Sequence, residues 1–243
     1  MLKSVQNSLL SLIYPQECSV CSDSVDHHEF GNACEKCWSE TRIFTGIEML
    51  CKGCGALLGD NAAIVPVSCL KCDHYYFEKA FAIGVYEKAL ATTIVHLKNT
   101  PHLSRHLRSL IRATLENRLR LLNIDLIVPI PLSKVRRVER GFNQAEIIAS
   151  EVGRLLRKRV DSASLSRVRH TPIHRVGMDQ KARELTVTKA FEVTRPKLIA
   201  GKNILLVDDV LTSGATSSAC AKTLKKNGSG NVFVFTLARA VLH

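Results

Sequence analysis

Two adjacent carboxylates followed by small hydroxyl residues are the strongest chemical signal in this sequence. Asp208 and Asp209 come after a buried-strand run at 204–207 and precede a helix predicted over 215–227. Paired carboxylates suit the vicinal hydroxyls of a ribose, or Mg2+. Hydroxyls and backbone N–H groups at a helix N-terminus suit a phosphate. The sequence therefore predicts a sugar-phosphate site, and an acidic strand end before a polar turn is the alternative. The turn comprises Thr212, Ser213, Gly214, Ala215 and Thr216.

A second predicted strand, 124–131, ends in prolines and is followed by a positively charged stretch. We call this stretch, residues 134–140, the basic segment. At the carboxyl end of a strand such a segment can bind the anionic part of a ligand that the turn at 212–216 does not reach. A basic surface loop is equally consistent with these residues alone. The cations, ahead of Gly141, are Lys134, Arg136, Arg137 and Arg140.

Eight of the nine cysteines form four Cys-x2-Cys pairs, and Cys220 stands apart. Four thiolates from two such pairs make a closed tetrahedral zinc site, in which zinc replaces a hydrophobic core. The short intervals favour pairing of the first pair with the second and of the third with the fourth, which gives two structural Zn2+ ions. Interleaved pairing remains open, as does an iron-sulfur cluster or a redox dithiol. The eight are Cys18, Cys21, Cys34, Cys37, Cys51, Cys54, Cys69 and Cys72.

Charge and cysteine content together divide the chain near residue 77. Residues 1–77 hold 5 Lys and Arg against 9 Asp and Glu, a net charge of −4, and residues 78–243 hold 29 against 13, a net charge of +16. We expect a zinc-binding module over 1–77 and an α/β domain over 78–243. Such an excess of positive charge suits a polyanion, either a phosphorylated ligand or a nucleic-acid backbone, although ordinary solvated surface is an equal alternative.

The remaining pattern predicts alternating strands and helices, hence a parallel sheet with its ligand at the carboxyl edge. Helices are predicted over 2–14, 90–98, 102–122 and 142–158, and further strands over 80–86, 163–168 and 232–237. The helix over 102–122 carries a stripe of five arginines. The polar stretch 169–189 is interpreted as a lid or a disordered segment. No apolar run approaches the ~20 residues of a membrane-spanning helix and no signal peptide is evident, so a cytoplasmic location is expected.

Residues 204–216 resemble the 5-phosphoribosyl-1-pyrophosphate (PRPP) motif of type I phosphoribosyltransferases. The P-x-P-L and R-G-F-N-Q arrangement within 129–144 resembles the competence protein F (ComF/GntX) family. This resemblance implies a type I phosphoribosyltransferase-like parallel sheet domain behind a module of the double zinc ribbon kind. It implies that Asp208 and Asp209 hold the ribose hydroxyls and that 212–216 binds the 5-phosphate. It also implies that the basic segment, with Gly141, is a loop that binds pyrophosphate with Mg2+. Two family positions differ, as His174 replaces glutamine and Thr186 replaces asparagine, which affects recognition of an acceptor.

The same resemblance implies a role in natural transformation. In that role the protein binds PRPP with Mg2+ and handles single-stranded DNA on the cytoplasmic side after uptake, alongside other DNA-uptake proteins. Two alternatives use the same motifs. One is an active phosphoribosyltransferase with an unidentified nitrogen acceptor, and the other is a PRPP-sensing regulator without chemistry. The sequence identifies no catalytic residue.

Overall fold

The computed structural model describes residues 16–59, 68–69, 72–168 and 190–241. The helix predicted over 2–14 and the segment 169–189, with His174 and Thr186, lie outside these residues. Within the described part of the chain, no helix combines the length and the apolar character needed to cross a membrane.

The cysteine-rich N-terminal part is built from short elements. A 3-10 turn at His28–Phe30 precedes helix α1 (Glu35–Ser39), and strands β1 (Met49–Leu50) and β2 (Leu57–Gly59) form an antiparallel pair. A second 3-10 turn, Cys72–His74, leads towards the central sheet. Elements this short bury little apolar surface, so the order of this region depends on its cysteines and on its contacts with the rest of the molecule.

Five parallel strands form the central sheet. They are β3 (Lys79–Val85), β4 (Leu126–Pro129), β5 (Arg159–Val160), β8 (Ile204–Leu211) and β9 (Val232–Arg239). Their order across the sheet is β3-β9-β8-β4-β5. Leu126 to Pro129 and Ile204 to Val207 are buried throughout, as expected for central strands covered on both faces. Two further strands form a separate antiparallel pair, β6 (Leu165–Arg167) with β7 (Phe191–Val193).

Helices cover both faces of the sheet. Side chains alternate along each strand, so Leu205 belongs to the apolar cluster of one face and Leu206 to that of the other. The first face carries α2 (Lys88–Leu97), α3 (Arg105–Thr114) with a π-helical continuation Leu115–Leu119, and α5 (Gln144–Leu156). The second carries α6 (Pro196–Ile199) and α7 (Ala215–Lys226). Helix α4 (Lys134–Arg140) buries none of its residues.

The predicted α/β class, with a parallel sheet behind a cysteine-rich module, is confirmed. Two local expectations were wrong. Strand β8 continues through both aspartates to Leu211 instead of ending before them, because its residues keep pairing with β9. The basic segment is helix α4 and not a loop, because the Ser133 hydroxyl caps the N–H of Arg136 and Gly141 ends the helix with a φ of +76°.

Candidate functional site

The cysteines form two groups of four, as the local pairing predicted. In each group the four Sγ atoms lie within 4.8 Å of one another. Tetrahedral zinc with Zn–S bonds of about 2.3 Å places its sulfurs roughly 3.8 Å apart. The separations are 3.7 Å between Cys21 and Cys34 and 3.6 Å between Cys54 and Cys69, and Cys72 lies closer, at 3.1 Å from Cys51 and 3.3 Å from Cys69. The residues therefore fit structural zinc with no open position. We call Cys18, Cys21, Cys34 and Cys37 the first cysteine cluster, and Cys51, Cys54, Cys69 and Cys72 the second cysteine cluster.

Backbone N–H groups favour thiolates in both clusters. Burial opposes ionisation of Cys18, but N–H donors, with that of Cys34 at 3.3 Å from the sulfur, outweigh it and lower the pKa of this thiol to about 6. Burial also opposes ionisation of Cys51, but backbone N–H donors, with that of Cys69 at 3.2 Å from its sulfur, lower the pKa of this thiol to about 6. Burial and neighbouring sulfurs raise the pKa of Cys72. Four thiolates in contact therefore need a cation, which Zn2+ supplies.

The two aspartates lie near the carboxyl end of β8 and are half-buried. The backbone N–H of Asp209 donates to the Asp208 carboxylate at 2.9 Å, and that of Val210 to the Asp209 carboxylate at 2.8 Å. Burial and the charge of Asp209 raise the pKa of Asp208 well above its usual range. A cation or hydroxyl donors placed against the pair would relieve this repulsion.

The loop after β8 presents consecutive unpaired backbone donors. Among the described residues, no hydrogen bond is made by the N–H groups of Thr212, Ser213 or Gly214. Gly214 has a φ of +75° and comes directly before the first turn of α7. A helical N-terminus with unpaired N–H groups and a left-handed glycine is a concave anion-binding arrangement. Thr212 and Ser213 are exposed, whereas Ala215 and Thr216 are half-buried.

The basic segment begins beside the aspartates, because β4 and β8 are neighbours. The N–H of Ile130 donates to the carbonyl of Val207 at 2.9 Å, so the chain leaves β4 next to Asp208. Arg137 forms an ion pair with Glu146 at 2.6 Å, which neutralises one cation of the segment. Lys134, Arg136 and Arg140 form no ion pair with the described residues, nor does a described hydrogen bond join the segment to the aspartates.

Three residues near the loop were missed by the sequence reasoning. Arg167 on β6 lies over the Phe191 ring at 5.4 Å, and its charge acts to lower the pKa of Asp208. Arg239 at the end of β9 and Tyr75 after the second cysteine cluster both donate to carbonyls of the loop. Arg167 and Arg239 are each the last residue of a strand, which was the available signal for them. Tyr75 lies in the aromatic run 75–77, and nothing in that run indicates a contact with the loop.

Comparison with known proteins gives one family match and several relatives. Residues 9–73 match the double zinc ribbon domain. The chain is 30% identical over 213 residues to competence protein F of Haemophilus influenzae, covering 85% of this chain and 90% of that protein. It is also 32% identical over 117 residues to the DNA utilization protein YhgH of Escherichia coli. That alignment spans only half of each protein, 48% of this chain and 50% of YhgH.

Among solved structures, the chain is similar to adenine phosphoribosyltransferase from Saccharomyces cerevisiae. The TM-score is 0.37 at 17% sequence identity, covering 56% of this chain and 68% of that one.

Proposed function

The chain belongs to the competence protein F family, and on that premise we propose that it binds PRPP with Mg2+ and handles single-stranded DNA on the cytoplasmic side during DNA uptake. Residues 1–77 serve as the zinc-binding module and residues 78–243 as the phosphoribosyltransferase-like domain. The relatives named for competence and for DNA utilization support the DNA role. The loop after β8 supports the small-molecule role.

One observation carries the PRPP assignment. Three successive backbone N–H groups, at residues 212–214, make no hydrogen bond in the described structure and precede a helix of 12 residues. Two carboxylates lie a few residues earlier, on the strand that leads into this loop. Phosphate fits the N–H groups and the positive end of the helix. Vicinal ribose hydroxyls fit carboxylate acceptors. A phosphorylated pentose combines both features in one ligand.

The remaining parts follow from charge. Asp208 and Asp209 would accept from the ribose hydroxyls, and Mg2+ bound with PRPP would add positive charge beside them. The cations Lys134, Arg136 and Arg140 are not used in ion pairs with the described residues, so they are available to a pyrophosphate. Arg137 is less available because Glu146 already binds it.

Calorimetric titration of PRPP with Mg2+ tests the assignment. Wild-type protein should bind, and the variant Asp208→Asn/Asp209→Asn should not, because it keeps the volume of both side chains and removes their charge. Its thermal midpoint should stay the same or rise, since the like-charge repulsion is gone. The rise that PRPP with Mg2+ produces in the wild type should vanish.

The matched control is Glu116→Gln. Glu116 is an exposed carboxylate in the π-helical turn, and its replacement should leave PRPP binding unchanged. Wild-type protein that ignores PRPP with Mg2+ would refute the assignment. Undiminished affinity in the Asn pair would do the same.

A further inference from the structure

A single buried arginine joins the second cysteine cluster to the loop after β8. The Arg239 side chain leaves the end of β9 and the residue is only 4% exposed. Its Nη1 donates to the carbonyls of Leu211 at 2.8 Å, of Thr212, and of Ala240 at 3.0 Å. Its Nη2 donates to the Sγ of Cys54 at 3.8 Å. One planar guanidinium therefore holds a cysteine ligand on one side and the loop backbone on the other.

Charge explains why the two partners occur together. A buried guanidinium needs an anion, because desolvating an unpaired charge is costly. No carboxylate among the described residues forms an ion pair with Arg239. Four thiolates with one Zn2+ carry a net charge of about −2. The zinc-loaded second cysteine cluster is thus the anion that allows Arg239 to lie buried beside the loop.

Tyr75 forms a second connection between the same two places. It follows Cys72 by three residues, and its backbone N–H donates to the Cys72 carbonyl at 3.2 Å. Its hydroxyl donates to the carbonyl of Ser213 at 2.8 Å, and its ring is stacked on Phe77 with centroids 4.8 Å apart. A Cβ placed on Gly214 would lie 2.9 Å from the Tyr75 ring, so the ring touches the loop itself.

These bonds determine where the loop's donors point. The carbonyls of Leu211, Thr212 and Ser213 are each held by Arg239 or Tyr75, and that of Leu211 also accepts the backbone N–H of Ala240 at 3.0 Å. In a trans peptide the carbonyl oxygen and the following N–H lie on opposite sides of the bond. Fixing three successive carbonyls on the zinc side therefore turns the N–H groups of residues 212–214 to the other side, where they have no acceptor among the described residues.

We propose that Arg239 and Tyr75 are positioning residues through which the second zinc centre sets the conformation of the phosphate-binding loop. As regards PRPP, this inference rests on the proposed function. Zinc at this centre and ligand at the loop are then thermodynamically coupled, so each strengthens binding of the other by the same factor.

The first cysteine cluster provides an internal contrast. Its surroundings contact the helices on one face of the sheet, through Thr93 donating to Asn32 at 3.1 Å and through Trp38 against His106 at 4.6 Å. No described hydrogen bond joins this cluster to residues 211–216. Zinc at the first centre should therefore stabilise the module without affecting the loop.

Backbone 15N relaxation tests the positioning role without any ligand. In wild-type protein the amides of residues 212–214 should show order parameters near about 0.85, and in Arg239→Lys they should fall below about 0.6. Lysine keeps the charge beside the thiolates, so two zinc ions should remain bound. Its ammonium group has one nitrogen, so it lacks the fork in which Nη1 binds the loop carbonyls while Nη2 binds the Cys54 sulfur. Tyr75→Phe removes one hydrogen bond and should loosen Ser213 and Gly214 to a smaller extent.

The matched control is Arg42→Lys. Arg42 also joins the cysteine-rich part to the sheet domain, through a bidentate pair with Glu87 at 2.9 and 2.8 Å, but away from the loop. Its replacement should leave the amides of residues 212–214 rigid. Equal mobility in the two lysine variants, or an unchanged loop in Arg239→Lys, would overturn the proposal.

Zinc release to a chromogenic chelator tests the coupling. Cys69→Ser should abolish the release phase of the second centre and weaken PRPP binding about ten- to a hundredfold, the range for losing hydrogen bonds to a charged group. Cys21→Ser should abolish the other phase and leave PRPP affinity unchanged. In wild-type protein, PRPP with Mg2+ should slow release from the second centre only.

The outcomes separate this inference from the proposed function. Equal slowing of both phases would mean that PRPP stabilises the whole protein, and the coupling would be refuted. Slowing of neither phase while PRPP binds would refute it as well.

If wild-type protein binds no PRPP, the proposed function fails, and loop mobility in Arg239→Lys decides the positioning role alone. Should Cys69→Ser not fold, Arg239→Lys and Tyr75→Phe carry the affinity measurement, with an expected loss of at least about twofold for Tyr75→Phe.

Discussion

At Gly214 the backbone has a φ of +75°, and an added Cβ would lie 2.9 Å from the ring of Tyr75. Gly214→Ala therefore combines left-handed strain of about 1–2 kcal/mol with a collision that must move the ring or the loop. We expect loss of PRPP binding together with a lowered thermal midpoint. Calorimetric titration and thermal unfolding measure the two effects.

Gly228→Ala separates strain from collision. Gly228 has a φ of +89° and no atom within 4 Å of its Cβ position. This variant should show a similar strain penalty and full PRPP affinity. If Gly214→Ala binds PRPP as well as Gly228→Ala does, the loop does not need its present shape.

At this scale the sequence revealed residues that act through local spacing. The cysteine pairs and the adjacent aspartates are recognisable because their members are near one another in the chain. Arg239 and Tyr75 contact their partners across 185 and 138 residues respectively, so no local pattern indicates what they bind. Their roles depend on which strand ends the fold brings together.

Glu151 connects two helices on one face of the sheet. It lies on α5, its side chain is 4% exposed, and it binds Arg108 of α3 at 2.8 Å and Arg154 of α5 at 2.6 Å. The hydrogen bond from Arg154 and the charge of Arg108 hold the pKa of Glu151 below its usual range. Glu151→Gln removes the charge from both pairs and should cost about 1.5–3 kcal/mol of unfolding free energy, measured by denaturant titration.

The control for Glu151 is Glu40→Gln, which alters a solvent-exposed pair with Lys88. Exposed pairs are screened by water, so the denaturation midpoint should not change measurably. Equal effects of the two substitutions would show that burial does not determine the contribution of these pairs.

His106 on α3 makes the contact with the first cysteine cluster's surroundings sensitive to pH. Its ring lies between Phe30 at 4.8 Å and Trp38 at 4.6 Å, and burial lowers its pKa below the usual value. The unfolded chain then binds more protons than the folded one below about pH 6.5, so stability should fall as the pH drops from 7.5 towards 6 and below. The thermal midpoint measures this loss.

His106→Phe isolates that contribution, because it keeps an aromatic ring and cannot be protonated. The fall in thermal midpoint between pH 7.5 and 6 should be smaller in the variant than in the wild type. Protonation of zinc-bound thiolates affects both proteins alike. An identical pH dependence would mean that His106 does not titrate in this range.

At the scale of elements, the apolar runs and their alternation with helices were enough to predict a parallel sheet. Strand order was not predictable, because β3, the first strand of the sheet in sequence, pairs with β9, the last. Helix α4 was mistaken for a loop because its face is basic and carries no apolar stripe, although Ser133 and Gly141 mark its two ends. End signals were more informative there than periodicity.

Across the whole molecule, the sheet domain holds the positive charge, with a net charge of +16 over residues 78–243 against −4 over 1–77. The structure also shows which arginines of the stripe on 102–122 are already engaged. Arg105 faces Glu29 at 3.9 Å, Arg108 is bound to Glu151, and Arg118 lies over the Phe81 ring at 5.9 Å. Arg112 and Arg120 are exposed and form no ion pair with the described residues.

These two arginines allow a sharp test of single-strand binding. If the basic surface binds a nucleic-acid backbone, the logarithm of affinity for an oligonucleotide should fall linearly with the logarithm of salt concentration, with little dependence on sequence. Arg112→Gln and Arg120→Gln should each reduce the slope by about 0.7, the contribution of one phosphate contact on a single strand. Arg154→Gln should change the slope less, because Glu151 already neutralises that charge.

Asp208→Asn/Asp209→Asn should bind the oligonucleotide as the wild type does, since PRPP and the strand would use different surfaces. Absence of oligonucleotide binding at low salt would remove the nucleic-acid role and leave the phosphorylated ligand as the reason for the basic half.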